Sequence, residues 1–179
     1  MLSTHGFGAF YRFLLGSVAA KVLHDSDCAV WTTAYTEELP AREFAVRNVA
    51  CAVDLSGHSG TTLTRASQFA ATLGARLTII HVTPSVETYG PGGNYVNPEW
   101  RDAIVGGATK EIAKLQQQAG TAADVIIESG DAHTLLNKAA EQADADVLVI
   151  GHLPPGGHLG QNGGGYSIIR GSHIPVLSV

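Results

Sequence analysis

Glycines near the start of this 179-residue chain are spaced so that they could hold a phosphate group. Nine residues separate Gly6 from the pair Gly16-Ser17, and a stretch with helical periodicity follows. Glycine lets a backbone adopt positive φ and approach phosphate oxygens closely, and the free N–H groups at a helix N-terminus attract anions. Spaced glycines are common, so the helix that follows them is what makes phosphate binding the favoured interpretation.

Other residues with chemical potential give weaker signals. His152 and His158 lie in a loop rich in glycine and proline, without a nearby Asp, Glu or Cys, so a metal site is not favoured. Ser17, Ser56 and Ser59 show no spacing to His and Asp that would indicate a catalytic triad. The sequence therefore gives no support for a hydrolase.

Composition restricts the partners of the chain. A net charge of −5 argues against nucleic acid and against anionic membranes, and no apolar run is long enough to cross a membrane. The apolar segment 10–20 is not read as a signal peptide, because Arg12 interrupts it and no basic residue precedes it. We expect a cytoplasmic protein in which Cys28 and Cys51 are buried free thiols.

Strands alternate with helices along most of the chain, which predicts a parallel sheet with helices on both faces. Strands are predicted near 48–54, 76–82, 124–128, 146–150 and 175–179. Helices are predicted over 61–73, over 99–119 with a kink at Gly106-Gly107, and from Asp131 as N-cap to 142. Residues 83–98 are predicted to be a loop, in which Tyr89, Tyr95 and Trp100 beside it either cover a cleft or pack on a neighbouring subunit.

The two ends of the chain share one pattern: a glycine-bearing loop, a helix and a short strand. Aligned from their ends, residues 22–24 fall on 168–170, and 29–31 fall on 175–177. We therefore predict a complete domain over 47–179, a linker over 35–46 and, over 1–34, the C-terminal remnant of a preceding domain. The remnant suggests that the parent is a tandem two-domain protein and that this chain starts late within it.

Three segments together resemble the universal stress protein family: VACAVDLSGHSGTTLTRASQFAATLGARLTIIHV, GDAHTLLNKAAEQADADVLVIG and THGFGAFYRFLLGSVAAKVLHDSDCAVWT. Nucleotide-binding members of that family carry Gly-x2-Gly-x9-Gly-Ser/Thr. Gly6, Gly16 and Ser17 match this motif, with Ser3 in place of the first glycine. The resemblance implies an open five-stranded parallel sheet of order 3-2-1-4-5 (adenine nucleotide alpha hydrolase-like). It also implies pairing through the fifth strand and ATP or AMP, with Mg²⁺, at the carboxyl ends of the strands.

The resemblance also implies which residues of the complete domain hold the nucleotide. Candidates are Asp54 at the ribose and adenine, the backbone of Val82 at the adenine edge, and Gly130, Gly151, Asn162 and Gly163. Asp54 could instead be only a polar cap at a strand end. The phosphate loop departs from the motif, because Pro154-Pro155 stands where the second glycine belongs, and proline removes an N–H donor.

Two functions follow as hypotheses. The first is a stress-response regulatory module that binds an adenine nucleotide weakly, with at most slow ATP hydrolysis. The second is a dimerisation or interaction domain whose cleft no longer binds nucleotide. In either case we expect strands 29–33 and 175–179 to pair antiparallel, in one chain or between two, and a homodimer to form, because open strand edges are rarely left unpaired.

Overall fold

The computed structural model describes residues 2–3, 17–33, 45–85, 87–90, 93–96, 98–151 and 164–179. Nine strands are assigned in them: β1 Leu2–Ser3, β2 Val30–Thr33, β3 Asn48–Ala52, β4 Arg76–Thr83, β5 Glu87–Gly90, β6 Gly93–Val96, β7 Asp124–Ser129, β8 Val147–Ile150 and β9 Val176–Ser178. Five helices accompany them: α1 Ser17–Asp25, α2 Ser59–Leu73, α3 Pro98–Ala119, α4 Ala132–Gln142 and α5 Gly164–Gly171.

The main sheet has the order β1-β2-β9-β8-β3-β4-β7. Its five parallel strands, β7-β4-β3-β8-β9, confirm the predicted order 3-2-1-4-5. The sheet is nevertheless wider than the five strands predicted, because β2 pairs antiparallel with β9 and β1 pairs with β2. The predicted antiparallel pairing of the two end strands is therefore confirmed, and it occurs within one chain.

Buried apolar side chains on both faces of the sheet explain why these strands form. Every residue of β8, Val-Leu-Val-Ile, is buried, as expected for a parallel strand covered on both sides. One face packs Leu148 against α1, α4 and α5 through Leu23, Leu136 and Ile169. The other face packs against α2 and α3. Helices thus cover both faces, as predicted.

Two local predictions need correction. Residues 83–98 are not simply a loop, since β5 and β6 form a separate antiparallel hairpin in which Gly90 pairs with Gly93. Its signal was present in the sequence, as two β-prone runs meeting at glycines. α3 is one continuous helix over Pro98–Ala119, and the kink at Gly106-Gly107 stays a prediction. Cys28 is exposed rather than buried, because β2 begins only at Val30.

The two ends of the chain are related by an approximate two-fold axis. Across the β2–β9 pair, Trp31 lies opposite Leu177, Val30 opposite Ser178, and Thr32 opposite Val176. Since the sequence alignment equates Trp31 with Leu177 and Val30 with Val176, the axis passes between Trp31 and Leu177. α1–β2 and α5–β9 are therefore equivalent units facing each other.

Candidate functional site

The crevice of this sheet lies where β3 and β8 are neighbours. The chain continues from β3 to β4 on one side, whereas β8 leads to β9 on the other. In open α/β sheets, such a reversal leaves a crevice outside the carboxyl ends of the strands, and ligands bind there. We call this side of the sheet the carboxyl edge. Asp54 follows β3 at this edge, and Gly151 follows β8.

The loop after β3 orients the carboxylate of Asp54. Its Oδ1 accepts hydrogen bonds from the backbone N–H of Ser56 at 2.9 Å and from the hydroxyl of Ser59 at 2.8 Å. Burial alone would raise the pKa of Asp54, but these hydrogen bonds outweigh it and hold the pKa below its ordinary value of 3.8. Asp54 is therefore ionised at neutral pH and exposed at the crevice.

Backbone strain accompanies this arrangement. Leu55, between Asp54 and Ser56, has φ of 61°, a conformation that costs a residue with a Cβ free energy and often occurs at functional sites. The turn leads directly into α2, whose N-cap residue, His58, makes no side-chain capping bond. The strained turn thus sets Asp54 beside the start of a helix.

Gly151, directly after β8, lies close to the side chain of Thr62 in α2. A Cβ built on Gly151 would lie 2.9 Å from Oγ1 of Thr62, which is itself buried and donates to the carbonyl of His58 at 3.2 Å. Only glycine fits without a shift of Thr62. Gly151 therefore brings the backbone after β8 close to the start of α2, on the same edge as Asp54.

Val82 and Gly130 complete the set of candidates at this edge. The carbonyl of Ile80 accepts from Val53 N–H on the β3 side at 3.0 Å, and that of Thr83 accepts from Gly130 N–H on the β7 side at 2.9 Å. Backbone groups alternate in direction along a strand, so those of Val82 face the side on which β3 has already ended. Gly130 has φ of 147°, a conformation that favours glycine.

Asp131 is the N-cap of α4, as predicted. Its Oδ2 accepts from the backbone N–H of Thr134 at 2.8 Å. This bond lowers the pKa of Asp131. Its partner is within its own helix, so its role is structural.

Of the remaining candidate residues, the structure describes Ser17 alone. Gly6, Gly16, Asn162 and Gly163 lie outside the described residues, as do the prolines of the altered loop. Ser17 is the first residue of α1. β1, which leads into the remnant motif, is parallel to β2 and thus antiparallel to β9. The end of β1, from which the chain runs toward the remnant motif, therefore lies at the amino ends of the five parallel strands, whereas Asp54 lies at their carboxyl ends.

Two clefts formed by described residues lie near the carboxyl edge. One, of about 280 Å³, is lined by the Asp54 loop and α3, including Ser56, Gly60 and Glu111. A larger one, of about 430 Å³, lies between the α1–β2 turn, Arg65 and Val179. Within the described part of the chain no group of His, Cys, Asp and Glu could hold a metal ion, and none of the helices described there is long and apolar enough to span a bilayer.

Sequence reasoning missed Ser59 and Thr62 as parts of this edge. Ser59 bonds Asp54, and Thr62 faces Gly151. The only available signal was a run of small hydroxyl residues, Ser56 to Thr62, directly after an apolar strand that ends in an aspartate.

An open, doubly wound sheet with a polar crevice at its switch point defines a class of α/β proteins that bind small ligands. A sequence model of the universal stress protein family matches residues 45–179. The chain therefore belongs to the universal stress protein family. No curated protein sequence matches it significantly.

Solved structures agree with this fold. A universal stress protein from Pseudomonas aeruginosa is 21% identical with a TM-score of 0.68, and the match covers 99% of this chain and 61% of that one. One from Archaeoglobus fulgidus is 25% identical with a TM-score of 0.67 over 98% of this chain and 59% of that one. A third, in complex with cAMP, is 25% identical with a TM-score of 0.55 over 75% of this chain and 97% of that one. The chain thus spans less than two thirds of the first two proteins.

Proposed function

We propose that this chain is a stress-response regulatory module that binds an adenine nucleotide weakly at its carboxyl edge. The observation that carries the proposal is Asp54, an ionised and oriented carboxylate at the switch point of a universal stress protein sheet. A related protein was solved with cAMP, which supports an adenine nucleotide as the ligand class.

The base and ribose end of the site has suitable groups. Carboxylate oxygens are acceptors for the two hydroxyls of a ribose, and the hydrogen bonds that Ser56 and Ser59 donate to Oδ1 hold the Asp54 carboxylate in place. The N–H and C=O of Val82 face the position where β3 has ended, so they offer a donor and an acceptor to the edge of a base.

The phosphate end is weaker. Pro154 and Pro155 provide no N–H donors, and Asn162-Gly163 replaces the Gly-Ser/Thr pair of the family motif. Each charge-assisted hydrogen bond lost to phosphate is worth about 1.5–3 kcal/mol. Losing two or three weakens binding by roughly two to four orders of magnitude or more. We therefore expect dissociation constants near or above the millimolar range.

Catalysis is not part of the proposal beyond slow ATP hydrolysis. A phosphoryl-transfer site needs carboxylates for Mg²⁺ and a group that positions water. Asp54 is the carboxylate that directly follows β3 at the switch point, and one such group does not make up that set. A cytoplasmic location and a homodimer likewise stay predictions.

Isothermal titration with ATP, AMP and cAMP, with and without Mg²⁺, tests the proposal. We expect weak binding that Asp54→Ala abolishes. Asp124→Ala is the matched control, since it removes an exposed carboxylate at the start of β7, on the opposite edge. Equal binding by the unmodified chain and Asp54→Ala would contradict the assigned site.

The alternative, an interaction domain without nucleotide, predicts no heat with any of the three ligands. The proline pair in the phosphate loop favours this alternative. Micromolar binding lost in both Asp54→Ala and Gly16→Ala would instead show a composite site built by two chains, and would overturn the estimate of weak affinity.

A further inference from the structure

We infer that β7, at the end of the sheet remote from β9, is a docking strand for an extended segment of another protein. The segment would carry the pattern basic–x–apolar–x–basic, where x is a residue of any type, and would add to the sheet as one more strand. The inference does not depend on nucleotide binding, because it rests on the backbone and the charges of β7 and on its flanking helices.

The backbone of β7 has hydrogen-bonding groups on a side where no described strand lies. β7 pairs with β4 over six consecutive residues and ends the sheet in the part of the chain that the structure describes. The Glu128 carbonyl points toward β4, since it accepts from Oγ1 of Thr83 at 3.1 Å. Backbone groups alternate in direction along a strand, so those of Val125, Ile127 and Ser129 point away from β4. We call that side the β7 edge.

The sequence of β7 does not protect this edge. Proteins commonly keep edge strands short, interrupt them with bulges, or place Lys or Pro in them. β7 has instead the six-residue sequence DVIIES, without Lys or Pro and in unbroken register with β4. The apolar side chain of Val125 is 39% exposed. A strand of this kind is a template for pairing with another chain, and extended peptides bind to such edges mainly through main-chain hydrogen bonds.

Charge indicates which kind of segment fits. Asp124, Ile126 and Glu128 alternate along β7 and therefore lie on one face of the sheet, the face against which α4 packs. Neither carboxylate has an ion pair within the described residues. Opposite charges on neighbouring strands stabilise a sheet. A segment with basic residues beside the two carboxylates, and an apolar residue between them, therefore complements this face.

A second copy of β7 fits the edge poorly. If two β7 strands paired antiparallel in full register, Ile126 would lie opposite its own equivalent, and Asp124 would lie opposite Glu128 of the other copy. Both charged pairs would then be acidic, and like charges directly opposite each other destabilise a sheet. The net charge of −5 on each chain adds to the repulsion. The β7 edge thus disfavours its own copies and favours a basic partner.

The other face of β7 is bordered by small side chains of α3. Gln116 marks the flank of α3 next to β7, because its Oε1 accepts from the Ala123 N–H at 2.6 Å. Thr109 and Ala113 lie on the same side of the helix, seven and three residues before Gln116, and both are exposed. Side chains of this size do not reach far past the strand. The two x residues of the segment, which fall on this face beside Val125, can therefore be β-branched.

Fluorescence anisotropy with labelled peptides tests the inference. The peptide GKTITKG places its lysines beside Asp124 and Glu128 and its isoleucine beside Ile126, and the control peptide GETITEG reverses both charges. We expect saturable binding of GKTITKG that weakens as salt is added, and no measurable binding of GETITEG. Equal binding of the two peptides, or no binding of GKTITKG at millimolar concentration, would overturn the inference.

Charge reversal in the protein locates the site. Asp124→Lys and Glu128→Lys should each weaken the binding of GKTITKG about three- to tenfold, and the double variant should bind GETITEG in its place. Asp27→Lys is the matched control, since it makes the same change of charge at an exposed aspartate before β2, near the other end of the sheet. If Asp27→Lys weakened binding as much, net charge alone would account for it and the assigned site would be wrong.

Amide hydrogen exchange distinguishes strand addition from binding elsewhere. At a tenfold excess of GKTITKG over its dissociation constant, exchange should slow about tenfold at the outward amides of Val125, Ile127 and Ser129. The amides of Ile126 and Glu128, which face β4, should change little. Binding without slower exchange at the three outward amides would overturn the inference. So would outward amides whose exchange in the free protein slows as protein concentration rises, because a second copy would then occupy the edge.

Discussion

The α1–β2 and α5–β9 units have equivalent helices and strands, yet they have unequal support. β9 is paired on both sides, with β8 from Leu148 to Ile150 and with β2. β2 has β9 on one side and, among the residues that the structure describes, only Leu2 and Ser3 of β1 on the other. The same local pattern thus gives an integral part of the sheet in one place and a docked segment in the other. The number and length of the neighbouring strands, and not the local sequence pattern, therefore decide how firmly each unit is held in the sheet.

The turns that precede the two strands show the same inequality. In the α5–β9 turn, Ser172 is fully buried and its hydroxyl donates to the carbonyl of Ile174 at 2.8 Å. In the α1–β2 turn, the equivalent Ser26 is half-buried, and Cys28 and Ala29 are exposed. Segments with fewer buried contacts open locally at lower free energy, so we expect α1–β2 to open before the sheet does.

Thiol labelling should show the largest contrast. Cys28 is exposed, whereas Cys51 is buried in β3, and burial raises its pKa to about 12. Because the thiolate is the nucleophile, Cys51 should react only through global unfolding, slower than Cys28 by a factor of about 1,000 or more. The measurement is the labelling kinetics with an aromatic disulfide reagent in native buffer.

A variant extends this test to the other unit. Ile174 is the equivalent of Cys28 and is partly buried against the core, so Ile174→Cys in a Cys28→Ser background should label at a rate between those of Cys28 and Cys51. Equal labelling rates at positions 28 and 174 would contradict the conclusion that α1–β2 is less well packed than α5–β9.

Truncation of the equivalent core residues should give the next largest effect. Ile169→Ala and Leu23→Ala each remove a fully buried side chain, which costs about 2–5 kcal/mol. For Ile169→Ala we expect the loss in the global free energy of unfolding. For Leu23→Ala we expect it in the undocking of α1–β2, with the global midpoint nearly unchanged. Urea titration combined with hydrogen exchange distinguishes the two, and identical global losses would show one cooperative unit.

Much of the fold could be predicted because its determinants are local. β3 and β8 are short apolar runs followed by helical periodicity, which is enough to place them side by side in a parallel sheet. The pairing of β2 with β9 could be predicted because each of these two strands would otherwise leave an edge with unpaired backbone groups. The register of β1 could not be predicted, because two residues carry no pattern that would fix their pairing with Thr32 and Thr33.

The site was less predictable than the fold. Asp54 could be found, because it ends an apolar strand. Its bond to Ser59 depends on the left-handed conformation of Leu55, which residue type disfavours. The close contact of Gly151 with Thr62 likewise depends on how α2 packs. Tertiary packing decides such features, so a single sequence gives little signal for them.

Gly171 tests the contact that α5 has and α1 lacks. A Cβ built on Gly171 would lie 2.6 Å from Cε1 of His133 in α4, and the Gly171 carbonyl accepts from Asn137 at 3.1 Å. Gly171→Ala should therefore cost about 1–3 kcal/mol through overpacking. Its equivalent, Asp25, is exposed, and its carboxylate bonds Lys21 and His24 of its own helix. Asp25→Ala should leave the urea midpoint unchanged. If Gly171→Ala also left it unchanged, the His133 side chain of α4 would be able to move aside at little cost in free energy.

The smallest effect should come from the two hydroxyls at the axis, and with opposite signs. Thr32→Val keeps the shape of the side chain but removes its bond to the Val176 carbonyl, a loss of about 0.5–1.5 kcal/mol. Ser178→Ala removes a buried hydroxyl that has no partner among the described residues, so it should be neutral or stabilising, by up to about 1 kcal/mol. Both changes are read from urea midpoints, with the slope checked for constancy. If Ser178→Ala instead destabilised the chain as much as Thr32→Val, its hydroxyl would have to be bonded in solution.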